Sequence, residues 1–70
     1  MSKTRLELLK EIADNEHRLR ERLREYHDQF DRFANHGDHN AKERAQQMLP
    51  VIKEIEQRIA ELKNELSEFE

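Results

Sequence analysis

The second half of the chain carries the cleanest pattern. Ala45, Met48, Ile52, Ile55, Ile59, Leu62, Leu66 and Phe69 follow one another at alternating intervals of three and four residues. The first half repeats the pattern with Leu9, Ile12, Glu16, Leu19, Leu23, Tyr26, Phe30 and Phe33, of which only Glu16 is polar. Apolar residues spaced this way fall on one stripe of an α-helix. The strict alternation is the a/d heptad of a helix that packs on another helix. The spacing predicts helices over about residues 4–34 and about residues 41–69.

Between the two runs lies Asn35-His36-Gly37-Asp38-His39-Asn40, with the only glycine of the chain. Gly37 suits a left-handed helix C-cap. Asn40 followed by Glu43 is a relative of the capping box, with Asp38 as a competing N-cap. A loop over 35–40 between helices of equal length favours antiparallel neighbours. In that arrangement each a residue faces a d residue. Phe33 meets Ala45, Phe30 meets Met48, Tyr26 meets Ile52 and Leu23 meets Ile55. Leu19 then meets Ile59, Glu16 meets Leu62, Ile12 meets Leu66 and Leu9 meets Phe69. All eight layers share one fold-back point at residue 39, inside the expected loop. The expected fold is therefore all-α: an antiparallel two-helix coiled-coil hairpin forming a single domain over residues 1–70. Pro50 falls at the outward f position of this heptad and predicts a solvent-side kink in one continuous second helix.

Composition changes the picture in one respect. Charged residues make up 41% of the chain and aromatics 6%, a balance that by bulk hydropathy alone would suit disorder. The regular spacing and the abundance of helix formers point to a coiled coil instead. Seventy residues without cysteine have no disulfide to supplement a small core, so oligomerisation is the readiest remedy. Several apolar residues fall beside the seam: Leu6, Ala13 and Leu49 at e, and Leu8 and Val51 at g. They widen the stripe beyond what a two-helix coil requires, as a bundle would. The expected interface comprises Leu6, Leu8, Ala13, Leu49 and Val51, used either in a homodimer forming a four-helix bundle or against a helical partner protein. Two chains that exchanged helices would form the same seam.

The charges add detail. Glu16, opposite Leu62, is expected to lean out to Arg20 or Lys63, since a carboxylate in a seam is unfavourable without water or a cation. Asp14 with Arg18, Glu16 with Arg20, Asp28 with Arg32 and Glu54 with Arg58 place the acid four residues before the base, the favourable order on a helix. Arg20 is expected to flank Glu56, whereas Arg22 flanks Arg58. That like-charge pair, with Arg18 and Arg24 nearby, suggests contact with an anion or an acidic partner.

The function expected is that of a small, non-enzymatic protein–protein interaction or regulatory hairpin. The alternative is an RNA- or DNA-binding hairpin dimer using the Arg-rich stretch; its plan is similar to that of small plasmid copy-number regulators that bind paired RNA hairpins. A formal charge of −3 is a weak footing for a nucleic-acid or membrane partner. His36, Asp38 and His39 meet at the tip without zinc-site spacing, so no metal or cofactor is expected there. No catalytic constellation can be argued without a concave pocket. The chain has neither an apolar run of membrane-span length nor a secretory apolar segment after Met1, which favours a cytoplasmic location.

Overall fold

A computed structural model describes residues 3–69. Two helices, α1 (Arg5–His36) and α2 (His39–Ser67), lie against each other in a hairpin 50 Å long and 16 Å across. Each end of α1 has a local cause. Thr4, in extended conformation, accepts a hydrogen bond from the Glu7 amide at 3.2 Å, while its hydroxyl donates to the Glu7 carboxylate at 3.0 Å. The pair satisfies an otherwise free amide of the first turn. At the other end Gly37 takes the left-handed conformation (φ 64°, ψ 26°) and its amide donates to the Phe33 carbonyl at 2.9 Å. A β-carbon on Gly37 would meet no atom within 4 Å, so only the backbone conformation resists a larger residue. Gly37→Ala should therefore lower stability by about 1 kcal/mol. A thermal melt followed by circular dichroism should drop by about 4–8 °C; an unchanged melt would mean the chain reverses elsewhere.

The connection is shorter than the spacing suggested. Asn35, His36, His39 and Asn40 are all helical, and only Gly37 and Asp38 lie between the helices. Asp38, not Asn40, caps α2: its Oδ1 accepts from the amides of Asn40 at 3.1 Å and Ala41 at 3.2 Å. A carboxylate also complements the positive end of the helix dipole, which a carboxamide does not. The fold-back point moves from residue 39 to the Gly37–Asp38 step.

That move changes the register. Phe33 was expected opposite Ala45. Its ring instead lies 5.8 Å from the His39 ring and 5.1 Å from the Lys42 ammonium, about one helical turn earlier in α2. At the open end Leu8, Ile12 and Leu62 form one buried cluster with Leu66 against it. The inward line of α2 runs through Ala41, Ala45, Met48, Ile52, Ile55, Ile59, Leu62 and Leu66, all buried or half-buried. Phe69, expected in the last layer, is exposed. Two alanines nearest the turn fit the tight reversal, because small side chains allow the helix axes to approach closely.

On α1 the slide is joined by a rotation. Ile12, Leu19, Tyr26 and Phe33 keep their inward places, but Leu8 and Gln29 turn inward instead of Leu9 and Phe30, while Asn15 and Glu16 are both half-buried. Leu8 is 1% exposed, whereas Leu9 is 43% exposed. Gln29 Oε1 is buried with no hydrogen-bond partner among the described residues. An unsatisfied buried carbonyl costs about 1–3 kcal/mol. Gln29→Leu should thus raise stability by about 1 kcal/mol, read as a higher urea midpoint; a fall would show that the amide is satisfied.

Pro50 lies inside α2, which continues without a break. It removes the amide that would bond the Gln46 carbonyl. Both residues are exposed, so water can take the missing amide's place as donor to that carbonyl.

Candidate interaction surface

The rotation of α1 leaves a second heptad line uncovered. Leu6, Leu9, Ala13, Glu16, Arg20, Leu23, His27 and Phe30 repeat the three–four alternation along a face beside the buried one. Leu6 is 76% exposed, Leu23 36% and Phe30 47%, and Ala13 is exposed as well. Residues the spacing had assigned to the intramolecular seam thus form a surface. Phe30 is held in an aromatic ladder, with ring centroids 6.1 Å from Tyr26 and 6.3 Å from Phe33, so it is presented rather than loose.

Ion pairs between the helices mark the two sides of the hairpin. Glu16 lies 3.8 Å from Lys63 on one side, the side of Leu9, Leu23 and Phe30, which are one or two heptads from Glu16 along α1. Leu49 is two heptads from Lys63 along α2 and so shares that side; it is exposed. On the other side Arg58 reaches Glu11 at 3.9 Å, and Val51, one heptad from Arg58, is exposed there. Of the five residues expected at an interface, Leu6, Ala13 and Leu49 fall on one continuous side and Val51 on the opposite one. Leu8 is a correction: it is consumed by the hairpin's own core because α1 has turned by one position.

The arginines divide in the same way. Arg18 and Arg22 line a shallow groove on the Val51 side with Glu21, Glu54 and Ile55, and Arg24 is exposed on the outward surface. Arg22 and Arg58, expected to face each other as like charges, each hold a carboxylate: Arg22 holds Glu25 at 3.4 Å, and Arg58 holds Glu61 at 3.4 Å as well as Glu11. The new register removes the clash that had suggested an external anion. Of the pairs expected within a helix, Asp28–Arg32 forms at 3.4 Å, and Glu16 pairs with Lys63 rather than Arg20. Among the described residues Arg20 makes no ion pair, although it stands at the middle of the exposed line.

A second groove, of about 400 Å³, on the Val51 side is lined by Arg22, Glu25, Gln29, Arg44 and Met48, with charges of both signs. His36 and His39 end and begin the two helices at the tip, and among the described residues no three metal-ligating side chains converge. No described helix is long and apolar enough to cross a membrane.

One carboxylate is perturbed. Glu11 accepts both contacts of the Lys3 ammonium at 2.6 Å, and this bond, aided by the nearby charges of Lys3 and Arg58, holds its carboxyl below the usual range. A lowered folded-state value contributes stability above the unfolded value and loses it as pH falls through the folded one. The start of α1 should therefore fray more in Glu11→Gln than in the parent near neutrality, with the difference vanishing at low pH, where the parent's carboxylate is protonated. Amide exchange at Leu8 and Leu9 reads this; a difference that persists in strong acid would contradict it.

No family model, curated protein or solved structure matches the chain.

Proposed function

We propose that the chain is a helical-hairpin assembly module that works by self-association, without catalysis, through the uncovered line of α1. The observation that carries this is the line itself: leucines and a phenylalanine at heptad spacing, left in water by the fold that buries their neighbours. Such a line is the mark of a helix with two packing faces, as in a bundle. Surface area supports it. A folded protein of 8.5 kDa exposes about 4700 Å² on the usual scaling with mass, whereas this hairpin exposes 5775 Å². The excess of about 1100 Å² is comparable with the roughly 800 Å² each partner gives up in a standard interface.

The nucleic-acid alternative draws on Arg18, Arg22, Arg24 and Arg58. Arg22 and Arg58 are engaged with carboxylates, Arg24 points elsewhere, and the net charge is −3. The association reading is preferred for that reason. Its test is the concentration dependence of the thermal midpoint. A self-associating fold melts higher as protein concentration rises; a constant midpoint over a hundredfold range, about two decades of mass action, would rule it out.

A further inference from the structure

Resting on that self-association, we infer its geometry: two copies pack α1 against α1 antiparallel, about a two-fold axis near Arg18, with Glu16 of each copy paired to Arg20 of the other. The exposed line is complementary to itself when reversed. An isologous contact requires that if one residue meets another, the second meets the first. Reversing the line about its midpoint sets Leu6 against Phe30, Leu9 against His27, Ala13 against Leu23 and Glu16 against Arg20. The two charged members of the line meet each other, twice, at the centre. The smallest residue meets a leucine, and the most exposed leucine meets the phenylalanine.

Other arrangements lose this. A parallel pairing in register sets Glu16 against Glu16 and Arg20 against Arg20. Sliding the antiparallel pair by one heptad in one direction puts Arg20 on Leu9 and Glu16 on Ala13; in the other it puts Arg20 on Leu23. Charged residues within a seam select register and orientation because each mismatch leaves a charge desolvated or opposed. Arg20 makes no ion pair among the described residues, and the contact of Glu16 with Lys63 is long, at 3.8 Å, so both are free to serve such a pair. The exposed part of Leu49 lies on the same side and would extend the apolar contact from α2.

Charge reversal tests this. Glu16→Arg sets arginine against arginine at both central layers, and Arg20→Glu sets glutamate against glutamate. Each variant alone should associate at least about tenfold more weakly than the parent. An equimolar mixture of the two should regain parental association as a heterodimer, because every central contact is again between opposite charges. Loss of the Lys63 contact within one chain cannot produce rescue by mixing. As a second readout, Ala13→Cys combined with Leu23→Cys places two thiols too far apart on one helix to join, yet opposite each other between copies. Oxidation should give a covalent dimer. Reversals without effect and no cross-link, with a melt that still rises with concentration, would overturn this geometry and leave self-association standing. A melt independent of concentration would remove both.

Discussion

Leu62→Ala should remove most of the stability of the hairpin. Leu62 is fully buried, in contact with Leu8, Ile12 and Leu66. Truncating a buried leucine costs about 2–5 kcal/mol, the higher values where the surroundings cannot collapse into the space. Among the described residues the buried core consists of seven, two of them alanines, and small domains hold only about 5–15 kcal/mol in total. Urea denaturation at fixed protein concentration should show a midpoint near zero denaturant. Phe69→Ala is the matching control, and it separates the two registers. The heptad pairing placed Phe69 in a seam layer with Leu9, whereas both are exposed in the structure. Its truncation should change folding stability by less than about 0.5 kcal/mol. Equal losses from the two variants would favour the register read from the spacing alone.

The second large effect concerns association. Leu23→Asp with Phe30→Asp should leave the hairpin helical and abolish self-association. Leu23 is 36% exposed and Phe30 47%, so part of each side chain is available to a second copy, and neither belongs to the buried core. In a symmetric dimer each substitution acts twice. Four side chains, counting only the area still exposed, contribute roughly 2–5 kcal/mol to association. That corresponds to a Kd weaker by about thirtyfold to several thousandfold, before the unfavourable desolvation of four carboxylates. Size-exclusion chromatography with light scattering reads the mass, and circular dichroism confirms the fold. Val51→Asp, on the opposite side, should leave association unchanged. If Val51→Asp dissociates the protein and the double variant does not, the interface lies on the arginine-lined side.

Much of this was visible in the residue spacing, and the part that was not has a definable cause. The two-helix plan, the line of α2 from Ala45 to Leu66 and the reversal near Gly37 follow from periodicity and from one glycine. Which neighbouring line of α1 turns inward does not. Ile12, Leu19, Tyr26 and Phe33 belong to both candidate lines. Counting apolar residues favours Leu9, Leu23 and Phe30 as their companions over Asn15, Arg22 and Gln29. The structure goes the other way at the turn: Asp38 caps α2 immediately after Gly37, the reversal tightens to two residues, and Ala41 and Ala45 set the first contacts. Leu9, Leu23 and Phe30, which looked like seam residues, thereby become a surface, and Leu8, which looked like a surface residue, enters the core. The competing N-cap at Asp38 was the one local signal of this, since it implies a shorter loop and an added layer at Ala41.

The exposed line is also why Glu16 reads differently. In the intramolecular seam it was a misfit opposite Leu62. Half-buried and one turn from Arg20, it is the residue that would select a reversed copy of the same helix in the proposed pairing.

Sedimentation equilibrium of the parent chain over a wide concentration range tests the central claim most directly. The mass should climb from 8.5 kDa toward twice that value and fit a single monomer–dimer equilibrium. A mass that stays at the monomer value up to millimolar protein, where association worth about 4 kcal/mol would already be half complete, would contradict it.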